Sequence, residues 1–152
     1  MDWTIIQQAL PAYGHGFVLT VWLSLVGIIG SIIVGVIASL LQYFKTPILS
    51  QIATAYVELA RNTPLLIQLF FLYYAFPVIG WRMSSITAGI IGLIFLGGGY
   101  MAEGFTGGFQ GVTDSQINSG EALGMNRFQL ARYVVFPQGF ALSMPALAAN
   151  VI

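Results

Sequence analysis

The chain has 152 residues, of which 57% are hydrophobic and 7% charged, with 5 basic and 5 acidic side chains in balance. A soluble domain carries about a quarter charged residues, so this composition excludes a solvated polar skin, and the zero net charge gives no electrostatic case for nucleic acid. The sequence contains no cysteine, which removes disulfides, thiolate metal sites and cysteine nucleophiles. The expected fold class is an all-α integral membrane protein, with three complete transmembrane helices, a partial fourth and a short cytoplasmic helix between the last two.

Residues 1–16 read as a short external segment, with Trp3 and Tyr13 suited to the headgroup layer. The single histidine, His15, has no ligand partner nearby and reads as interfacial or hydrogen-bonded. Residues 17–44 then run for 28 positions without a charge, enough to cross a hydrocarbon core of roughly 30 Å with some tilt.

An amphipathic stretch follows over 47–62, where Ile48, Ile52, Ala55 and Leu59 recur at helical spacing and Pro47 suits a first turn. Glu58 and Arg61 stand three apart and are placed to pair on one face, as anchors of this helix. Pro64 removes a backbone donor, so a kink is expected at Thr63–Pro64. The apolar run beyond it is short and needs the preceding turns to complete a crossing, expected over about 60–80. A third crossing covers about 84–105 and is rich in glycine. Its Gly97–Gly99 run reads as a close helix-packing surface rather than a phosphate cradle.

Residues 106–137 are too polar to span and form the expected cytoplasmic loop. Thr113 and Gln116 have capping-box spacing, Gly124 suits a left-handed C-terminal stop, and Asn126 with Gln129 recaps a second helix that ends before Pro137. Ala122, Leu123, Met125, Phe128 and Leu130 supply this module's apolar surface. A fourth apolar run occupies 138–152. From Phe140 it has 13 residues where a crossing needs about 20, so the sequence reads as a truncated chain or a re-entrant segment. With the N-terminus outside, Lys45, Arg61, Arg127 and Arg132 lie on the cytoplasmic side and Arg82 alone outside, as the positive-inside rule requires. No cleavable signal is evident.

The catalytic and nucleotide motifs are missing from the sequence. There is no G-x-x-x-x-G-K-[ST] loop, and the one lysine, Lys45, follows no glycine loop. There is no G-x-S-x-G elbow. The reading is a protein that is not an enzyme and binds no cofactor or metal of its own.

The stretch "ELARNTPLLIQLFFLYYAFP" at 58–77 resembles the second-span signature of permease subunits of polar amino-acid ABC importers. "YMAEGFTGGFQGV" resembles the segment closing their third span. Residues 118–137, "NSGEALGMNRFQLARYVVFP", resemble their EAA loop: E-A-A, three residues, G, nine residues, I, one residue, L-P. Asn118, Ser119 and Gly120 occupy the E-A-A positions, Gly124 is the glycine, Val134 replaces the isoleucine, and Phe136-Pro137 replace L-P. The following "PQGFALSMPALAANVI" resembles the start of the next span, with P-x-L-x-x-N ending at Asn150. Departures are Asn118 for the glutamate, Thr106 where a basic residue is usual, and the absence of the rest of the fourth span and of a fifth.

The resemblance implies a multi-pass protein of a prokaryotic cytoplasmic membrane that moves a polar amino acid by alternating access. It implies an ABC ATPase partner carrying ATP and Mg, a second permease subunit, and an extracytoplasmic amino-acid-binding protein. Gly120, Glu121, Ala122, Leu123, Gly124 and Met125 are the expected contacts with the ATPase. Glu103, Thr63 and Gln68 are assigned to the substrate pathway, Glu103 because ionisable groups within spans are functional by default. Glu58, Arg61, Pro64 and Pro137 are assigned to the kinks and their anchoring. An inactive or partial fragment of such a permease stays open as an alternative, as does a secondary carrier driven by an ion gradient.

Overall fold

The computed structural model describes the backbone of residues 3–151 and the side chains of residue 7 and residues 9–150. All its regular structure among these residues is helical. Helix α1 (Trp3–Tyr43) is followed by α2 (Leu49–Asn62) and α3 (Leu65–Phe70), which continues through a π turn (Phe71–Ala75) and a 3-10 turn (Phe76–Ile79). Then come α4 (Ser85–Gln110), α5 (Asp114–Ala122), and α6 (Arg127–Leu130), which runs through a second π turn (Ala131–Val135) into α7 (Phe136–Val151).

Among the described residues two helices are long and apolar enough to cross a membrane, over Ala9–Tyr43 and Ser85–Gln110. The 35-residue stretch in α1 measures roughly 52 Å at helical rise, well beyond the hydrocarbon thickness. Residues 3–16 therefore do not form a separate segment. They extend the helix through Pro11, carrying the exposed Tyr13 and His15 with them. The interfacial role expected of the Trp3 side chain lies outside the described residues.

The chain reverses between α1 and α2 in residues 44–48, where Lys45 (φ 46°) and Ile48 (φ 64°) both take left-handed backbone. That reversal delays α2, which starts at Leu49 rather than at Pro47 as its periodicity predicts. At the other end of α2, Thr63 and Pro64 are extended and the path turns by 105° into the Leu65–Ile79 helical run. The last turns of α2 therefore cannot lengthen that run in line. The expected crossing over 60–80 begins at the bend, and the pair counts as a span only as one broken unit.

Helix α4 is the hub, packing along α1, α2, α3 and α7. Small residues set how closely these helices approach. A Cβ on Gly35 of α1 would meet the Ala102 backbone nitrogen of α4 at 2.9 Å. Further along α4, a Cβ on Gly108 would strike the Ser143 hydroxyl and the Gly139 carbonyl of α7, with the Ser143 nitrogen at 2.7 Å. This contact explains why α4 continues to Gln110 instead of stopping near 105. The glycines that weaken a helix by propensity are here the surface that α7 packs on. Around them Met101, Phe105, Phe109, Val135 and Leu147 form a buried core, with Phe105 stacked against both Phe109 and Phe140.

Both π turns stand immediately before a Phe-Pro pair. Phe76 donates its N–H to the Phe71 carbonyl, and Phe136 to the Ala131 carbonyl, each five residues back. A proline in a regular α ladder strands the carbonyl four residues earlier and presses its ring on it. Widening the preceding turn relieves that clash and lets the helical path go on. The helix starting at Arg127 therefore does not end before Pro137 but passes through it into α7.

Gly108→Ala is expected to lower the thermal unfolding midpoint of the detergent-solubilised protein, by about 1–3 kcal/mol of overpacking. Gly107→Ala, whose Cβ would meet nothing within 4 Å, should leave it unchanged or raise it slightly through helix propensity. Size-exclusion chromatography after a heating series separates the two outcomes.

Candidate functional site

At one end of the bundle, α5 and α6 form a compact polar module. Its helix start differs from expectation: Thr113 is the N-cap residue by backbone, but its side chain makes no capping bond. Its helix stop agrees. Gly124 adopts φ 78°, its N–H donates to the Glu121 carbonyl at 2.8 Å, and the Met125 N–H donates to the Gly120 carbonyl at 3.1 Å. This pair of bonds is a Schellman closure, which left-handed glycine permits. Two residues later Asn126 and Gln129 form the full capping box: Asn126 Oδ1 accepts from the Gln129 N–H at 3.0 Å, and Gln129 Oε1 accepts from the Asn126 N–H at 2.8 Å.

The module sorts its apolar residues into two groups. Gly120 is buried, and a Cβ there would collide with Leu130 Cδ2 at 2.5 Å. Leu130 is only 4% exposed and belongs to the interior rather than to the surface assigned to it from sequence. Glu121, Ala122, Leu123 and Gly124 face outward, and Met125 is half-buried. Leu123 and Phe128 are 78% and 74% exposed, a large apolar area for such a small polar unit. Thus five of the six residues expected as contacts are accessible, while Gly120 closes the module from within.

The second group of residues lies where α2 meets α4. Arg61, in the last turn of α2, pairs with Glu103 of α4 at 2.6 Å between Nη2 and Oε2. This is the one ion pair among the described residues. The guanidinium also lies over the Tyr100 ring, 5.5 Å from its centroid. The pairing of Arg61 with Glu58 anticipated from their spacing is not formed. Glu58 stays exposed, and a surface i,i+3 pair contributes only a few tenths of a kcal/mol, less than a carboxylate and an aromatic face together offer.

Thr63 and Gln68 come together at the bend, away from Glu103. The Gln68 amide, in a side chain 7% exposed, donates to the Ala60 carbonyl at 3.0 Å and the Thr63 carbonyl at 2.8 Å. These are among the carbonyls that the end of α2 leaves without helical donors. Gln68 therefore braces the bend, and both residues also border an apolar cavity of about 520 Å³ with Phe71, Phe76 and Phe95. Glu103 lines a different cleft, of about 400 Å³, between α4 and α7.

One polar link was not anticipated. Gln42 of α1 donates to Thr54 of α2 at 3.2 Å and accepts from Thr106 of α4 at 3.2 Å. Gln42 thus ties three helices together, and reaches α4 through Thr106, the residue that departs from the expected basic pattern. Sequence spacing offers no signal for such a contact between positions 64 apart.

Long apolar helices around a glycine-lined hub, with a charged pair among them and a polar two-helix module at one end, define a helical protein of membrane type. A family model described as "Binding-protein-dependent transport system inner membrane component" matches residues 31–152, and the chain belongs to that family. It is 30% identical over 148 residues to the glutamine transport system permease protein GlnP of Escherichia coli (strain K12), covering 96% of this chain and 68% of that protein. It is 33% identical over 155 residues to the probable amino-acid permease protein YxeN of Bacillus subtilis (strain 168), covering 100% of this chain and 69% of the relative. Among solved structures it is similar to "Crystal structure of an amino acid ABC transporter with histidines", with a TM-score of 0.82 at 27% identity, covering 99% of this chain and 71% of that one. The chain is therefore a homologue of amino-acid ABC permease subunits, which are transport components rather than enzymes.

Gln68→Leu removes both amide donors and strands two carbonyls at the bend. It should destabilise the protein by about 1–3 kcal/mol, measured as a lower thermal midpoint in detergent. Gln68→Asn, too short to reach both carbonyls, should recover only part of that loss.

Proposed function

We propose that the chain is a transmembrane permease subunit of an ATP-driven, binding-protein-dependent importer that moves a polar amino acid by alternating access. The observation that carries this reading is the α5–α6 module. It presents Leu123 and Phe128 outward from a rigid Schellman-closed turn at the end of the hub helix. A small polar unit with a fixed turn and exposed apolar side chains suits docking in a groove of a separate ATP-hydrolysing subunit, where ATP and Mg would reside.

In this reading Glu121, Ala122, Leu123, Gly124 and Met125 contact the ATPase, and Gly120 keeps the module compact. The module lies in the cytoplasm, the N-terminus outside, and the bent α2–α3 pair forms the middle of three crossings, with α7 as part of a fourth. A second permease subunit encloses the pathway, and an extracytoplasmic binding protein delivers the amino acid. Glu103, Thr63 and Gln68 belong to the pathway, with Glu58, Arg61, Pro64 and Pro137 holding the bends. Movement of the docked module reaches the spans through α6 and its π turn, which is continuous with α7.

The test is reconstitution of the chain with its co-purified partners in proteoliposomes. ATP should drive amino-acid uptake, and Gly124→Val should lower uptake and transport-linked ATP hydrolysis together. Left-handed backbone costs a β-branched residue about 1–2 kcal/mol or more, so the turn is lost. Unchanged transport in that variant rules out the coupling role, and uptake that follows an ion gradient without ATP identifies a secondary carrier.

A further inference from the structure

We infer that the cleft between the end of α1 and the α6–α7 junction binds one anionic glycerophospholipid, Arg132 taking its phosphate and one face of α1 taking an acyl chain. The inference needs α1 to cross a membrane and is independent of the transport reading.

An unanswered charge points to an anion. Arg132 stands exposed in the π turn that leads into α7. Among the described residues no carboxylate pairs with it, the single ion pair being Arg61 with Glu103. Its guanidinium lies over the Tyr133 ring, 5.9 Å from the centroid. That contact steadies the planar group through its face and leaves its N–H donors free. A fork held in this way matches the oxygens of a phosphate. The cleft it borders has a volume of about 420 Å³, with Leu40, Phe128 and Phe136 among its apolar walls. A cleft that is cationic on one side and apolar on the others suits an amphiphile.

Depth selects a lipid over a soluble anion. Leu40 lies three residues before the end of the apolar stretch Ala9–Tyr43, and Lys45 is the first charge beyond it. The cleft therefore sits where hydrocarbon gives way to headgroups, a level that favours an exposed tyrosine such as Tyr133. From Leu40 the exposed side chains of Ile37, Ile33 and Ile29 continue along one face of α1 at three- and four-residue spacing. This track runs for roughly 16 Å, about half of a hydrocarbon core of roughly 30 Å and so the depth of one leaflet. A free phosphate or an acidic peptide would use Arg132 and leave the track empty. A zwitterionic phospholipid carries its own ammonium beside the phosphate, whereas an anionic one brings a charge that the protein must meet. Leu40 and Phe136 both pack on the buried Phe105–Phe109 core. A seated lipid thus joins α1 to the turn between the polar module and α7.

The chain is purified in mild detergent with whatever partners accompany it, and stripped of lipid. Native mass spectrometry and the thermal midpoint are then followed on adding phosphatidylglycerol, phosphatidylcholine of the same acyl chains, or glycerol phosphate. Phosphatidylglycerol should bind at least about tenfold more tightly than phosphatidylcholine, the difference expected from one charge-assisted contact, and should raise the midpoint. Glycerol phosphate should neither bind nor displace it. Arg132→Gln should erase the headgroup preference and Arg132→Lys should keep part of it. Arg127→Gln, outside the cleft, should keep all of it. Leu40→Trp, which fills the cleft and leaves the charge in place, should weaken phosphatidylglycerol binding.

Equal retention of the two phospholipids shows an annular shell only and overturns the site. Displacement by glycerol phosphate makes it a site for a soluble anion and overturns it too. A preference that survives Arg132→Gln has the same consequence. Should that variant fail to fold, an undiminished preference in both Arg132→Lys and Leu40→Trp overturns the site. If Arg132→Gln instead releases a partner subunit with the lipid preference intact, the cleft is a protein contact and the lipid site falls.

Discussion

The close approach of α1 and α7 to α4 is the constraint on which the molecule depends. Among membrane helices the surrounding lipid is as apolar as the side chains, so association rests on tight van der Waals contact more than on burial from water. Gly35 lets α1 reach the α4 backbone, and Gly108 with Gly139 lets α7 do the same. The buried aromatic layer of Phe105 and Phe109 then fills the space that these contacts define. The polar module and the ion pair are both attached to this hub, one at its end and the other on its flank.

The second organising element is the treatment of prolines. Hydrocarbon supplies no water to satisfy a stranded carbonyl, so each lost donor must be answered within the protein. Pro64 is answered by a sharp bend whose carbonyls are met by the Gln68 amide. Pro77 and Pro137 are each answered by a widened turn one residue before them. The result at Pro137 is continuity: α6 and α7 share one helical path through the widened turn.

Much of the site was legible in the sequence where local chemistry decides the outcome. The left-handed stop at Gly124 follows from glycine's freedom there, and the Asn126–Gln129 box follows from two side chains three residues apart. Thr113 shows the limit: the residue type and spacing were right, yet its hydroxyl makes no cap. Leu130 and Gly120 show it again. Whether an apolar residue on a short helix faces out or in depends on what folds against it, and the two meet inside the module. Arg61 had a carboxylate within reach along its own helix and still turned to Glu103, because α4 brought Tyr100 as well.

The sequence by itself determined the membrane class, the apolar runs, the bend at Pro64 and the helix–glycine–helix module. Composition, run length and backbone chemistry act through neighbours along the chain, so they can be read there. Tertiary structure alone decided where α4 ends, how the helix passes Pro137, which groups Gln42 and Gln68 satisfy, and which acid Arg61 selects. Those outcomes depend on contacts between residues far apart in sequence. In a bundle held by close packing, such contacts exist only once the helices have found their separation and register.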